Sequence, residues 1–206
     1  EHDRYGNVIT ARNFDANGAP VLAGDWGPAR ILFSYDRHGN RVEARTFGPD
    51  DAPIYAFVER AAIVRTAYDR RGYAVEESYF DIDGSPVLAR SSGAATLRWR
   101  YDAQGRVLEE AALGLDGRPI RTVDGWATAR YRYDARGNQV EVALFDEQGR
   151  PTLDTDDGCA IQRAEYDDQR RLIHTQCFDE DGRPALDNDG AHRLSLSYDM
   201  RGNNSE

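Results

Sequence analysis

The sequence predicts an all-β protein, an elongated array of about six 33-residue β-hairpin repeats. Three observations predict it. The dipeptide Tyr-Asp recurs at Tyr35, Tyr68, Tyr101, Tyr133, Tyr166 and Tyr198, at spacings of 33, 33, 32, 33 and 32. Three further landmarks keep the same period, and one period held over a whole chain is the signature of a repeat architecture. The runs between landmarks alternate with period two, and Gly or Pro interrupts too often for a long 3.6-residue pattern.

Each repeat opens on a turn. Four residues after each Tyr stands a glycine, Gly39, Gly72, Gly105, Gly137 and Gly202, with Arg170 as the exception. In Tyr133-Asp134-Ala135-Arg136-Gly137-Asn138 the aspartate can accept a hydrogen bond from a turn N–H, and Gly137 tolerates positive φ. The flanking stretches Ala129–Tyr133 and Gln139–Phe145 alternate as half-buried strands do, so each repeat holds a hairpin. A second turn follows, as in Asp146-Glu147-Gln148-Gly149-Arg150-Pro151. Its proline recurs as Pro20, Pro53, Pro86, Pro119, Pro151 and Pro184, at a strand start or edge where no ladder donor is needed. Phe14, Phe47, Phe80, Phe145 and Phe178 mark the preceding strand end, with Leu113 in the fourth slot. One full repeat reads Y-D-x-x-G-N-x-V-E-x-x-x-F-D-x-x-G-x-P-x-L-x-x-D-G-x-A.

Side chains suggest the register. Tyr133 opposite Val140, across a four-residue loop, sets Tyr131 against Val142 and Ala129 against Leu144 on one apolar face. The other face then pairs Arg132 with Glu141, Arg100 with Glu109, and Glu165 with His174. A three-residue loop would slip one strand by a residue and mix the faces. The second repeat tests the pattern, because Asp51 and Arg60 stand where other repeats have glycine. Positive φ is tolerable at Asp51 but costs about 1–2 kcal/mol at Arg60, so an altered turn is expected over residues 57–61.

No repeat buries its apolar face alone, so neighbours must stack. The repeats fall roughly at 3–35, 36–68, 69–101, 102–133, 134–166 and 167–198, one array expected to be part of a longer protein. Both ends lie in mid-repeat, leaving Val8, Leu194 and Leu196 poorly covered. Frayed ends or end-to-end self-association are expected, since open strand edges invite pairing.

Composition narrows the function classes. Hydrophobic residues make up 40% and charged residues 30% of the 206, which supports a packed core over disorder. The net charge is −10, there is no Lys, and no basic stripe stands out, so nucleic acid is not expected as a partner. No apolar run approaches the roughly 18–20 residues that span a bilayer, so no membrane insertion is expected. A charged start followed by an apolar stretch, the mark of a signal peptide, is not visible after Glu1.

The phrases Tyr35-Asp36-Arg37-His38-Gly39-Asn40 and Tyr133-Asp134-Ala135-Arg136-Gly137-Asn138 resemble the YD repeats of bacterial rearrangement-hotspot (Rhs-type) and teneurin-like proteins. The chain also resembles bacterial hairpin repeats of the WG and MORN kind. The YD resemblance implies extended, curling β-sheets that enclose or display another polypeptide, often a toxin segment, without catalysis. It also implies a bacterial protein, with cell-envelope or extracellular placement expected. The period here is longer than in that family, and the G-x-P and D-G-x-A blocks are outside its usual pattern.

Candidate chemistry is sparse. Acidic turns offer Asp154, Asp156, Asp187 and Asp189 as calcium ligands, although calcium takes six to eight oxygens and no stretch has a complete loop spacing. Trp26 and Trp126 flank glycine turns and are the candidates for a glycan or peptide groove, whereas Trp99 shares the face of Tyr101 and reads as core. In the four-residue-loop register Cys159 falls on the polar face and Cys177 on the apolar face, which predicts no bridge, whereas the three-residue register would put them on one face, diagonally placed. A Cys159 nucleophile with His174 or His192 as base would lack an oxyanion element. His2, His38, His174 and His192 are too scattered for a metal site. The tyrosine row reads as a structural aromatic ladder, beside the turn glycines Gly39, Gly72, Gly105 and Gly137. With no catalytic constellation and no cofactor motif, the expectation is a non-catalytic scaffold. Its partner would be another polypeptide or an adjoining domain of the same protein. The alternative is an envelope module for a glycan or small molecule, calcium-assisted through the acidic turns.

Overall fold

A computed structural model of the chain describes residues 1–24, 27–55, 59–199 and 201–205, the side chains of 204 and 205 excepted. The described structure is all β. Its strands are β1 (Thr10–Arg12), β2 (Arg30–Tyr35), β3 (Arg41–Phe47), β4 (Ile63–Tyr68), β5 (Ala74–Phe80), β6 (Thr96–Tyr101) and β7 (Val107–Leu113). They continue as β8 (Thr128–Tyr133), β9 (Gln139–Phe145), β10 (Ile161–Tyr166), β11 (Leu172–Phe178), β12 (Arg193–Ser195), β13 (Ser197–Tyr198) and β14 (Asn204–Ser205). Strand order in the main sheet is sequence order, β1 to β12, and β13 pairs with β14. No helix among the described residues is long and apolar enough to cross a membrane. The chain divides into two compact units, Glu1–Trp99 with Ala112–Arg118, and Arg100–Ala111 with Pro119–Glu206.

In the first unit β2 pairs with β3 from Arg30↔Phe47 to Ser34↔Glu43, and β4 with β5 from Ile63↔Phe80 to Ala67↔Glu76. In the second, β8 and β9 pair as expected at Ala129↔Leu144, Tyr131↔Val142 and Arg132↔Glu141, and β10 and β11 at Glu165↔His174. The turn itself differs from the expectation. Tyr133 lies opposite Gln139, not Val140, with a register shift beyond Arg132. The Asp134 N–H donates to Asn138 and the Gly137 N–H to Asp134, which closes a three-residue loop over Ala135–Gly137. That loop is the one the sequence argued against, and a bulge restores the parity of the faces. The same shift occurs before Tyr35, Tyr68 and Tyr166.

A second, shorter turn brings each proline back onto the strand end, with bridges Phe14↔Pro20, Phe47↔Pro53, Phe80↔Pro86, Phe145↔Pro151 and Phe178↔Pro184. A third turn then leads to an alanine buried almost completely: Ala29, Ala62, Ala95, Ala127 and Ala160. Each of these alanines is a backbone node. The Ala160 N–H donates to the Phe178 carbonyl of the next repeat, while the Ala160 carbonyl accepts from the Leu144 N–H of its own repeat. Ala62 does the same with Phe80 and Thr46. His192 takes this slot in the last described repeat, where its ring meets Phe178 edge-on.

The polar face carries a repeating clamp. Glu43 lies opposite Arg65 and is 2.8 Å from its Nε, and that guanidinium sits 4.4 Å from the centre of the Phe80 ring. In the second unit Glu109 with Arg130 over Phe145, and Glu141 with Arg163 over Phe178, repeat the arrangement. Exposed pairs of this sort are worth about 0.5–1 kcal/mol each, so their number matters more than any one. Hydroxyls of the Tyr-Asp tyrosines are tied to backbone acceptors. The hydroxyls of Tyr35, Tyr68, Tyr133 and Tyr198 donate to the carbonyls of Val8, Arg41, Val107 and Leu172, each at the start of the first hairpin strand of its own repeat or just before it.

Two further expectations are corrected. Arg60 adopts the left-handed backbone itself, with φ of 54°, so the glycine slot keeps its conformation without glycine. Cys159 and Cys177 form a disulfide, with Cα atoms 5.4 Å apart. Cys159 precedes β10 and lies outside the ladder, so strand alternation does not govern its side chain. At the ends, β1 and β12 are three residues long, and Val8 and Leu194 are exposed while Leu196 is half-buried.

Candidate functional site

The second compact unit contains a groove of about 190 Å³ on its apolar face. Trp126 and Tyr131 form its aromatic wall, Val142 and Leu144 its floor, and Asp154 and Asp157 its acidic rim. Trp126 is presented by a tight turn in which the Thr122 N–H donates to Trp126 and the Gly125 N–H to Thr122. Gly125 has φ of 95°, and a Cβ there would lie 3.2 Å from the Leu153 carbonyl oxygen, so the turn needs glycine. Tyr131 follows on β8, its hydroxyl pointing to Glu110 at 3.4 Å. Burial, reinforced by the Glu110 carboxylate, pushes the Tyr131 phenol up to about 12, so it stays a neutral donor.

The rim is a loop that folds on itself. Asp154 accepts from the backbone N–H groups of Asp157 and Gly158, both at 2.7 Å. The Asn188 side chain donates to the Thr155 and Asp156 carbonyls, and its backbone N–H donates to Asp157. The Asp154 N–H bonds the Cys159 carbonyl, and the disulfide to Cys177 anchors that end to β11. Partial burial raises the Asp157 carboxyl above its ordinary value, helped by Asp154, Asp156, Asp187 and Asp189. Among the described residues none of these five aspartates is in an ion pair, although carboxylates elsewhere, such as Glu43, Glu141 and Asp146, meet arginines.

These positions bear on the sequence candidates. Asp154, Asp156, Asp187 and Asp189 do come from neighbouring loops. However, Asp187 spends one oxygen on the Asp189 and Ala191 N–H groups, as Asp154 does on its own turn. Among the described residues no group of three or more His, Cys, Asp or Glu is arranged to hold a metal ion. Trp126 lines the groove, whereas Trp26 lies outside the described residues. Cys159 has its sulfur in the disulfide and is not a thiolate nucleophile in this state. His174 faces Glu165 across the ladder, and its buried Nδ1 has no hydrogen-bond partner. Sequence reasoning missed Tyr131 and Asp157 as groove residues. The signal for Tyr131 was its place two residues before Tyr133 on the apolar face. For Asp157 it was the run of acids before Gly158.

The first compact unit has its own groove of about 280 Å³ on the same face type, lined by Ile31, Phe33, Ala44, Val64, Thr66 and Glu77 among others. There the cation is already supplied, because the Arg41 guanidinium lies 5.2 Å from the centre of the Phe33 ring.

No family model matches the chain, and no curated protein matches it. Among solved structures it is similar to a crystal structure of TcdB2-TccC3-Cdc42, at 16% identity and a TM-score of 0.38, covering 98% of this chain and 10% of that one. A structure of the Photorhabdus luminescens Tc holotoxin pore is similar at 16% identity and a TM-score of 0.38, covering 97% of this chain and 10% of that one. A crystal structure of TcdB2-TccC3 without its hypervariable C-terminal region gives 17% and 0.38, covering 98% of this chain and 10% of that one. The chain thus spans about a tenth of the length of the structures it matches.

Proposed function

We propose that this chain is a non-catalytic β-repeat scaffold that binds another polypeptide, or displays an adjoining domain, along its repeats. One observation carries the reading. In five of the six repeats the residue two places after the landmark proline is apolar and exposed, Leu22, Tyr55 and Leu88 in the first unit and Leu153 and Leu186 in the second, while Arg121 takes the slot after Pro119. Single exposed leucines are ordinary, but the same exposed slot in successive repeats is a periodic apolar surface, and such surfaces mark interaction sites. The backbone of the slot is held by the proline bridge before it and the buried alanine after it, so burying the side chain is not what shapes the segment.

A photo-crosslinking amino acid placed at Leu88 or at Leu153 tests this in the source cell or lysate, with Arg100 on the polar face as control. Discrete polypeptide adducts from 88 and 153, absent from 100, are the expected result. Equal labelling from all three positions, or none from any, would refute the scaffold reading.

A further inference from the structure

The groove at Trp126 is short of a cation that the rest of the molecule shows how to place. On the polar face, a guanidinium lies over an aromatic ring and pairs with a carboxylate, as Arg130 does with Phe145 and Glu109, and Arg163 with Phe178 and Glu141. At Trp126 the aromatic wall and the carboxylates Asp154 and Asp157 are present, and among the described residues no arginine lines the groove. The corresponding groove of the first unit contains Arg41 over Phe33. Asp154 and Asp157 line the cavity, the charges of Asp156, Asp187 and Asp189 also act on Asp157, and none of the five is in an ion pair among the described residues, which leaves a negative potential that a cationic guest relieves. We infer that this groove receives an arginine side chain of a partner polypeptide, its guanidinium between the Trp126 and Tyr131 rings and the Asp154–Asp157 rim.

Size and chemistry favour this guest. A cavity of about 190 Å³ is smaller than the roughly 300–1,000 Å³ of drug-sized sites, and it suits one side chain. A guanidinium is planar, stacks on aromatic faces and is less strongly hydrated than an ammonium group, so an aromatic wall selects it over lysine. A calcium ion would need several free oxygens converging, and those of Asp154 and Asp187 are shared with their own turns. The inference rests on the scaffold reading for its polypeptide source, and on the groove alone for its chemistry.

Proton–nitrogen NMR of the whole chain, following the Trp126 indole and the amides of residues 154–160, tests it with four probes. These are N-acetyl-arginine methylamide, its citrulline and lysine counterparts, and calcium chloride. The arginine probe is expected to give saturable shifts confined to the groove, and citrulline none. Asp157→Asn, which keeps the backbone bonds of the rim, and Trp126→Leu should each weaken the arginine probe by about tenfold or more while leaving the remaining spectrum in place. Absence of saturable shifts, equal response to citrulline, or equal response to lysine overturns the assignment. Shifts with calcium alone also overturn it and make the rim a metal site. The two readings fail separately. Crosslinking at Leu88 with no arginine binding leaves the scaffold and removes the groove. Arginine binding with no crosslinked partner removes the polypeptide source.

Discussion

Among the described residues, three non-glycine residues hold a left-handed backbone: Asp51 at φ 61°, Arg60 at 54° and Arg170 at 64°. Each sits in a slot that is glycine in other repeats. For an L-residue with a Cβ that conformation costs about 1–2 kcal/mol, and the repeat imposes it all the same. Arg60→Gly is therefore expected to stabilise the protein by about 0.5–1 kcal/mol in urea unfolding, after allowing for glycine's larger unfolded-state entropy. Arg170→Gly should gain less, because Arg170 Nε also donates to Asn138 at 3.0 Å. Gly158 gives the opposite case. Its φ is 72°, and an added Cβ would lie 2.5 Å from the Asn188 side-chain oxygen, which two hydrogen bonds from the same amide hold in place. Gly158→Ala should cost about 2–3 kcal/mol in the same measurement. The glycine slots were legible from spacing alone. The conformation at Arg60 was not, since local propensity pointed away from it and only the pairing on either side over-determines the turn.

The Tyr-Asp turn shows how an element depends on pH. Asp36, Asp134, Asp167 and Asp199 accept backbone N–H bonds two and four residues ahead, and each carboxyl is held below its ordinary value. For Asp36 the leading cause is the Asn40 side chain, for Asp134 the bonds from Asn138 working against desolvation, and for Asp167 and Asp199 the backbone bonds of Arg171 and Asn203. A carboxyl lowered in the folded state adds stability that is complete above its unfolded pKa and is lost as pH falls through the folded one. Stability should thus be level from pH 7 to about 5 and fall below about pH 4, read by circular dichroism against urea. Asp157 runs the other way. Its raised carboxyl favours the neutral form, so that contribution is present at low pH and lost as pH rises, and Asp157→Asn should not destabilise at pH 7. Length variation is also an element property. Repeats of 32 and 33 residues differ between the proline and the third-turn glycine, seven residues apart at Pro86–Gly93 but six at Pro119–Gly125. The turn bond follows suit, Ala89 N–H to Ala94 in one and Thr122 N–H to Trp126 in the other. Strand faces were readable because alternation is a local rule. The bulge and the disulfide were not, because both arise where the ladder stops and alternation no longer applies.

At the scale of the whole molecule, the fold class and the period could be read from four landmarks, while the groove could not. It is assembled from β8, β9, β10 and two loops, and no single stretch of sequence carries it. Cross-links bear on this scale as well. The disulfide closes a separation of 18 residues, for which the chain-entropy account gives about 3 kcal/mol. Reduction should accelerate amide exchange over residues 144–190 and leave residues 30–80 unchanged, because a repeat touches only its neighbours. The alanine nodes carry a further consequence. Each joins its repeat to the next through a main-chain bond, which does not depend on what side chains the neighbour brings. Removing residues 36–68 would join Tyr35 to Asp69 and set β2 against β5, with Phe80 taking the place of Phe47 opposite Arg30. The shortened chain is expected to fold with the same β-sheet circular dichroism per residue. Copy number is then a freely heritable variable: duplication or loss of one cassette changes how many exposed apolar positions the protein offers, without rewriting any of them.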